Sequence, residues 1–408
     1  MIKSIHFKFF QKANLYSWGS SWNGQLALGK DITEQYSPKK ILLECNSSDR
    51  LRTGSYHCLL IKEKSFYSWG SNNFGQLGLS NDSQDLPVPA LNQYFEKNLN
   101  IKRIVDASTG AFHSIVAVED NDGCYKTYSF GWNERGQLGH DNWMKSKINS
   151  EPKEIVALRG KQVTAISGGF DFTIISTLSN GVYAFGMNDR GQCGLDPHRF
   201  PILYSPTVIP ELRSTVLIKI SSGWGHTLAM NSENQLLVWG SNFHGQLGTG
   251  SKSQLGKPVP VQQLNIATKL KSYDDEILDI SCASSASLIM LGKKSNGGYL
   301  YISGSSGDGK LGISGQKEDL LEFTDMNLPA MKQMSMGKDH GLAVPLNDNL
   351  VFYGWGFGQH GAIGLGDKNL SVFTTPVKND FFKQTKSNEI IQIQSSLDTS
   401  FALIKEDS

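Results

Sequence analysis

One short pattern returns seven times along this 408-residue chain: a glycine preceded in six copies by an aromatic residue, a second glycine five residues later, and an apolar residue two positions after that. The copies occupy residues 16–28, 67–79, 128–140, 183–195, 237–249, 301–313 and 353–365. A repeat at this scale constrains the fold more than any other feature, because each copy must form the same small unit and bury its apolar face against its neighbours.

A second pattern lies between the copies of the first: a turn of small residues, a position often held by histidine, and an apolar run. It reads TGSYHCLL, TGAFHSIV, GGFDFTII, SGWGHTLA, CASSASLI, MGKDHGLA and SSLDTSFAL. Successive copies of the first pattern start 51 to 64 residues apart. Aromatic and β-branched runs at this period, separated by glycine turns, predict four-stranded blades. We therefore expect an all-β fold, a seven-bladed β-propeller.

The two ends of the chain each carry half a blade, because the chain starts with the first pattern and finishes with the second. Joining residues 13–28 to residues 390–405 completes the seventh blade and closes the ring, which removes exposed sheet edges. The sequence thus predicts a single propeller over residues 13–405 after an N-terminal extension over residues 1–12.

Two kinds of repeated residue are expected to build the blades. A large aromatic side chain precedes the first glycine in six copies and can bury about 150–250 Å² between blades; these residues are Trp18, Trp69, Phe130, Phe185, Trp239 and Trp355. The paired glycines are expected where a strand turns with positive φ or where two backbones approach closely; examples are Gly70 with Gly75 and Gly240 with Gly245.

Composition limits the possible functions. The formal net charge is +1 and basic residues alternate with acidic ones, so the basic stripe needed for nucleic-acid binding is missing. The five cysteines are odd in number, far apart and never in a C-x-x-C pair, which argues against disulfides and a zinc site and favours a reducing compartment. No metal and no cofactor are predicted.

The apolar runs are too short to cross a membrane, and no signal-peptide core opens the chain. We expect a soluble protein of the cytoplasm, the nucleus or both. Lys3, Lys8 and Lys12, with no acid before Asp31, leave a mitochondrial location as the alternative.

The alternation of a Gly-x-x-His-Thr-Leu-like strand with Tyr-x-Trp-Gly-x-Asn-x-x-Gly-Gln-Leu-Gly resembles the regulator of chromosome condensation repeat over essentially the whole chain. Propellers with this repeat include the nuclear exchange factor for the GTPase Ran, mitochondrial relatives, the plant ultraviolet-B photoreceptor, and adaptors that only bind proteins. The resemblance implies the fold and leaves the function open.

This sequence shares the motifs of some members of the family and lacks those of others. The Ran exchange factor inserts a β-wedge from a lengthened linker between the two glycines, whereas all seven copies here keep four residues there. The photoreceptor's Gly-Trp-Arg-His-Thr motif has Gly225 at its arginine position. The stretches GFDFT at residues 169–173 and GQCG at residues 191–194 are similar to the cytosolic branch that contains the deafness-locus-associated exchange factor and the yeast α-tubulin suppressor.

The histidine position of the second pattern is occupied by His57, His113, His226 and His340, and by other residues in three copies. Copies in a ring lie far apart and cannot converge on one ion, so these histidines are expected to tie blades together through backbone hydrogen bonds.

In the Ran factor, acidic and histidine residues of this turn face the GTPase. The resemblance therefore makes Asp171, Asp339, His340 and Asp398 our candidate partner-binding residues. The alternative is that each turn acid only bonds its own backbone.

Departures from the repeat are further candidates, because symmetry does not require them. Residues 86–102 and 254–279, the latter with the acidic run YDDE at 273–276, are interpreted as lengthened connections. Either is a binding loop or a tolerated insertion. His198, Arg199 and Phe200, between two prolines, form an exposed-looking turn with the same ambiguity.

No Ser/His/Asp set, nucleophile elbow or Cys/His pair occurs in a recognisable setting, so no catalytic residue is assigned. We predict a non-catalytic interaction propeller, an adaptor or regulator in a small-GTPase pathway or a multi-subunit assembly. The alternative is guanine nucleotide exchange on a Ran-like GTPase, which involves no covalent chemistry.

Overall fold

The computed structural model describes residues 11–80, 84–98, 100–141, 147–260, 275–366 and 372–406. Its strands in the first half of the chain are β1 (Lys12–Ser20), β2 (Glu34–Lys40), β3 (Cys45–Asn46), β4 (Arg50–Thr53), β5 (His57–Ile61), β6 (Phe66–Gly70), β7 (Leu86–Asn92), β8 (Ile101–Thr109), β9 (His113–Asp120), β10 (Tyr125–Trp132), β11 (Ile148–Glu154), β12 (Val163–Gly168), β13 (Phe172–Thr177), β14 (Gly181–Met187) and β15 (Ile202–Val208).

The second half continues the same series. Its strands are β16 (Leu217–Ser222), β17 (His226–Asn231), β18 (Leu236–Gly240), β19 (Leu255–Pro260), β20 (Glu276–Cys282), β21 (Ala286–Lys293), β22 (Gly297–Gly304), β23 (Leu320–Asp325), β24 (Met331–Met336), β25 (His340–Pro345), β26 (Phe352–Phe357), β27 (Val372–Asn379), β28 (Ser387–Ser395) and β29 (Thr399–Glu406). The described helical segments are α1 (Tyr94–Asn98) and 3-10 turns at Val156–Leu158, Pro210–Leu212, Gly307–Gly309, Gln359–Gly361 and Phe381–Gln384.

Strand pairing groups these elements into seven antiparallel blades. Blades 1 to 6 consist of β4–β7, β8–β11, β12–β15, β16–β19, β20–β23 and β24–β27, and blade 7 combines β28 and β29 with β1 and β2. A single residue pair between β22 and β24 joins blades 5 and 6 into one sheet. The predicted all-β, seven-bladed propeller is confirmed.

Closure of the ring depends on the pairing of β1 with β29. It runs over seven residue pairs, from Ala13 with Lys405 to Gly19 with Thr399. The prediction that both chain ends share one blade is therefore confirmed. Sequence reasoning stopped this blade at residue 28 and missed its fourth strand, β2.

The paired glycines sit where side chains have no room. Gly70 has a φ of +100°, and a Cβ on it would lie 2.5 Å from the carbonyl oxygen of Tyr56 in the same blade. Gly75 has a φ of +75°, and its Cβ would lie 2.6 Å from the Cα of Ser150 in blade 2. The first glycine thus lets a loop cross a turn within one blade, and the second lets that loop touch the next blade.

The repeated aromatic side chains lie fully buried between blades. Trp69 clusters with Leu15 and Phe401, which belong to blade 7, and its indole Nε1 donates a hydrogen bond of 2.8 Å to the carbonyl oxygen of Gln25. Trp239 donates in the same way to the carbonyl oxygen of Gln192, at 2.9 Å. Each of these tryptophans therefore both fills an interface and holds a loop of the preceding blade.

The two segments interpreted as lengthened connections contain regular blade strands. Residues 86–102 include β7, the fourth strand of blade 1, and the short helix α1. Residues 254–279 include β19 and the start of β20, and residues 261–274, with the first two residues of the acidic run, lie outside the described residues. The interpretation as inserted loops was wrong for β7 and β19, because proline-containing strands gave no strand signal.

Replacement of either buried tryptophan is expected to destabilise the ring. Trp69→Ala or Trp239→Ala should lower the free energy of unfolding by about 3–5 kcal/mol, because a large cavity opens between two blades. Denaturant unfolding followed by circular dichroism measures this loss. Trp22→Ala is the matched control, since Trp22 is 69% exposed. An unchanged unfolding midpoint in either buried variant would disprove the inter-blade assignment.

Candidate protein-binding face

One face of the disc is built from two sets of connections. Antiparallel blades place the turn between first and second strands on the same side as the loop between third and fourth strands. We call this side the turn face. The two sets are linked within each blade; for example, Ser71 N–H donates to the carbonyl oxygen of Tyr56 at 2.8 Å, and Trp132 N–H donates to that of Phe112 at 2.8 Å.

The four histidines lie beneath the turn face, fully or almost fully buried. His57 Nε2 lies 2.7 Å from Ser114 Oγ, and His340 Nε2 lies 2.8 Å from Ser400 Oγ. Each hydroxyl belongs to the next blade and donates its only proton to a loop carbonyl, for example Ser114 to Gln76 at 2.9 Å. The imidazole Nε2–H must therefore be the donor to the hydroxyl.

The same arrangement joins His113 to Thr173 at 3.0 Å and His226 to Ser287 at 3.0 Å. Sequence reasoning placed these histidines at blade junctions but missed the hydroxyl residue that follows the histidine position in the next blade. Burial lowers the pKa of His113 to about 3 and that of His340 to about 4. His340 therefore lies neutral beneath the face, and its predicted contact with a partner is not tested by these distances.

These depressed pKa values predict acid sensitivity. The unfolded chain protonates its histidines near pH 6.5, whereas the folded state keeps the buried ones neutral. The unfolded state therefore binds more protons below that pH, so stability falls as the pH drops from 7 to 5. We expect His113→Gln to be less stable at pH 7 but less sensitive to pH, with exposed His198→Gln as control. Equal pH dependence of the melting temperature in both variants would contradict this.

The candidate carboxylate Asp339 is buried in an ion pair. Its Oδ1 lies 2.5 Å from the Nζ of Lys310 in blade 5, and the two side chains are 10% and 6% exposed. Burial opposes ionisation of Asp339, but the ion pairs with Lys310 and Lys338 outweigh it and lower the pKa. Lys310 occupies the position that is glutamine in most copies of the repeat, so this ion pair takes the place of that glutamine.

In the copies that have it, the glutamine at this position accepts a backbone hydrogen bond within the loop. In blade 1, Gln76 Oε1 accepts the backbone N–H of Phe74 at 2.9 Å. The two copies that hold Lys310 and Ala362 instead have no such acceptor. In those copies the residues Asp308 and His360 adopt positive φ values of 57° and 58°.

The other two candidate carboxylates are half-buried and border the turn face. Burial, together with the nearby Asp189, raises the pKa of Asp171 to about 6 against the influence of Arg135 and Arg190. Burial also raises the pKa of Asp398 against the influence of Lys338. Asp171, Asp339 and Asp398 lie in blades 3, 6 and 7, so the structure does not bring all three together.

Removal of the carboxylate at position 339 should leave an unpaired buried ammonium group. Asp339→Asn is expected to cost about 3–5 kcal/mol in the free energy of unfolding. Adding Lys310→Gln should recover most of the loss, because the repeat's own residue returns and no charge stays buried. Asp398→Asn is the control and should leave stability unchanged or higher. If the double variant unfolds as early as Asp339→Asn, the ion pair does not explain the loss.

Aromatic rings occupy the turn face in four consecutive blades. Tyr56 stacks on Phe112 with centroids 4.8 Å apart, Phe112 contacts Phe170 at 6.3 Å, and Phe170 contacts Trp224 at 5.2 Å. We call these four residues the aromatic arc. Sequence reasoning missed it by looking only for acids, although an aromatic residue stands one or two positions before the histidine position in these four copies.

Two further rings widen the arc at blades 1 and 2. Phe74 lies 5.0 Å from Phe112 and 5.7 Å from Trp132, measured between ring centroids. The turns of blades 5 to 7 hold no aromatic residue at these positions, and instead present Ser284, Lys338 and Leu397. The turn face is thus aromatic on one side and charged on the other.

The first strands of the blades line a central channel with a cavity of about 430 Å³. Arg52 pairs there with Asp106 at 2.8 Å, and Lys219 pairs with Asp279. Channel hydroxyls also join blades, since Ser335 Oγ accepts the N–H of Ser395 at 2.8 Å. These polar groups of the channel therefore have structural partners, and we assign no ligand to it.

The turn at His198, Arg199 and Phe200 is exposed, and the Arg199 guanidinium lies 5.1 Å from the Phe200 ring centre. Its predicted role as a contact stays a prediction.

The described residues include neither a helix long and apolar enough to cross a membrane nor a cluster of three or more potential metal ligands from His, Cys, Asp and Glu.

The sequence of this chain matches two family models and several known proteins. The family model for the RCC1-like domain matches residues 6–289, and the model for the Regulator of chromosome condensation (RCC1) repeat matches residues 352–403. The chain is 29% identical over 320 residues to the ultraviolet-B receptor UVR8 of Arabidopsis thaliana, covering 77% of this chain and 64% of the receptor. It is 35% identical over 182 residues to the probable E3 ubiquitin-protein ligase HERC3 of Homo sapiens, covering 44% of this chain and 16% of the ligase.

Among solved structures, Prp20p from Saccharomyces cerevisiae superposes with a TM-score of 0.80 at 22% identity, covering 98% of this chain and 92% of that one. A closed ring of seven sequence-related four-stranded blades defines a repeat β-propeller. The chain belongs to the regulator of chromosome condensation repeat family. The family predicted from the sequence is thereby confirmed.

Proposed function

We propose that this propeller is a non-catalytic protein-interaction module, an adaptor or regulator in a small-GTPase pathway or a multi-subunit assembly, which binds its partner through the turn face. The observation that carries the proposal is the unequal decoration of equivalent turns. Seven blades that pack alike need alike turns, yet the aromatic arc spans only blades 1 to 4. A difference that the fold does not require is best explained by a partner.

The family supports a protein partner. The structure of Prp20p was described together with its binding properties to Gsp1p and histones, which are proteins. An adaptor is favoured over an exchange factor because all seven linkers between paired glycines keep four residues. None of them has the length of the wedge by which the Ran exchange factor acts.

Affinity purification of the tagged full-length protein from its native cells tests the proposal. The wild-type protein should retain a partner, and the variant Phe112→Ala/Trp224→Ala should retain at least tenfold less, since central aromatic anchors commonly dominate an interface. Leu178→Ala is the control on the opposite face, where Leu178 is 51% exposed. Equal retention by all three proteins would refute binding through the turn face.

Nucleotide release then separates adaptor from exchanger. Any GTPase in the purified complex is loaded with a fluorescent guanine nucleotide and mixed with the propeller. The adaptor assignment predicts an unchanged release rate. A release rate that rises with propeller concentration, and is lost in the double variant, would establish the exchange factor instead.

A further inference from the structure

We propose that the aromatic arc binds an extended segment of a partner protein in which apolar side chains alternate with carboxylates. This inference rests on the proposed function and adds the chemistry of the partner. Three properties of the arc favour such a segment: the spacing of its rings, their fixed positions and the charges beside them.

The spacing of the rings suits an extended chain. The three steps from Tyr56 through Phe112 and Phe170 to Trp224 measure 4.8, 6.3 and 5.2 Å between centroids. At about 3.3 Å per residue, a strand of about five residues spans the arc. Trp224 is 44% exposed at one end, and the other three rings are half-buried. The three alternate apolar side chains of such a segment could therefore pack along the four rings.

The arc is held in place before any partner arrives. Its turns are bonded to one another across blades: Ser55 N–H donates to the carbonyl oxygen of Gly110 at 3.3 Å, and Ala111 N–H donates to that of Phe170 at 3.1 Å. Beneath the turn of blade 2, His113 bonds Thr173 of blade 3. Little conformational freedom is lost when a partner binds a surface fixed in this way, which favours affinity.

Cationic side chains stand along the arc. Among the described residues, no carboxylate oxygen lies within 4 Å of the exposed Arg135 guanidinium, whose Nη1 is 3.9 Å from the Sδ of Met187 in blade 3. Lys338 Nζ lies 5.8 Å from the ring centre of Trp224 at the blade 4 end, and it also pairs with Asp339 at 3.3 Å. Arg190 stands 5.6 Å from the Phe243 ring centre and reaches Asp189 only at 4.0 Å.

Two nearby acids are less available to a partner. Glu134 pairs with Lys147 at 2.9 Å. Asp171 is half-buried beside the arc, and burial together with the neighbouring Asp189 raises its pKa to about 6. Carboxylates of a bound segment would find Arg135 beside blade 3 and Lys338 at the Trp224 end of the arc, which selects acidic over basic segments.

A purely structural role for the arc is the competing explanation, in which the rings only hold neighbouring turns together. The turns of blades 5 to 7 are joined without any ring. Ser284 N–H donates to the carbonyl oxygen of Lys338 at 3.4 Å, and Lys338 N–H donates to that of Ser396 at 3.0 Å. Since backbone bonds suffice there, the rings of blades 1 to 4 are not needed to close the turn face.

The test is selection of a random dodecapeptide library on the immobilised full-length protein. We expect enriched peptides to contain more Asp and Glu than Lys and Arg, interspersed with aromatic or large aliphatic residues. The affinity of synthetic enriched peptides is then measured by fluorescence anisotropy. Trp224→Ala and Arg135→Glu should each weaken binding at least tenfold, and Leu178→Ala should leave it unchanged. Higher salt should also weaken binding through the arginine.

Three outcomes overturn the inference: enriched peptides that are basic or uncharged, binding that is indifferent to Trp224→Ala, or a library that yields no binder. A melting curve of each variant shows that it is folded, and Arg135→Gln supplies a milder change if Arg135→Glu unfolds the protein. Failure here is distinguishable from failure of the proposed function. A cellular partner lost by Phe112→Ala/Trp224→Ala, together with enriched peptides that are not acidic, refutes this inference alone.

Discussion

Every contact of this protein depends on the closure of the ring, and closure depends on the backbone pairing of β1 with β29. A blade has an apolar side chain layer on each face, so it is stable only between two neighbours. If the two chain ends did not pair, blade 7 would be split and the interfaces around Trp18 and Trp69 would meet water. The seven residue pairs between β1 and β29 therefore support interfaces far from them in sequence.

The interfaces themselves combine close backbone approach with buried polar groups. Gly75 brings a loop of one blade against the backbone of the next, and a buried imidazole such as His57 donates to a hydroxyl of the next blade. In blade 5 the repeat is broken, and Lys310 with Asp339 satisfies the same junction by an ion pair. Neutral imidazole–hydroxyl hydrogen bonds and a buried ion pair thus join neighbouring blades at equivalent places, because a buried polar group without a partner is costly.

In a closed ring, features that recur around the whole disc are needed for packing, whereas features confined to some blades are not. Buried aromatic residues and glycines recur around the whole disc, whereas the exposed rings of the arc occupy four blades only. The turn face is rigid because its loops and turns are bonded within and between blades. Such a surface can present apolar rings and arginine side chains to a partner without rearranging, which is why its asymmetry points to recognition.

The sequence by itself determined the number of blades, the shared seventh blade and the family, because a repeat of fixed pattern can bury its apolar residues in few ways. It also identified the aromatic residues that fill the interfaces. Only the tertiary structure decided which polar residues are free. Asp339 was selected as a contact by its position in a turn, but its partner Lys310 lies 29 residues away in another blade. The arc, too, exists only because turns some 55 residues apart in sequence become neighbours in the ring, and adjacency of that kind is set by blade packing rather than by local pattern.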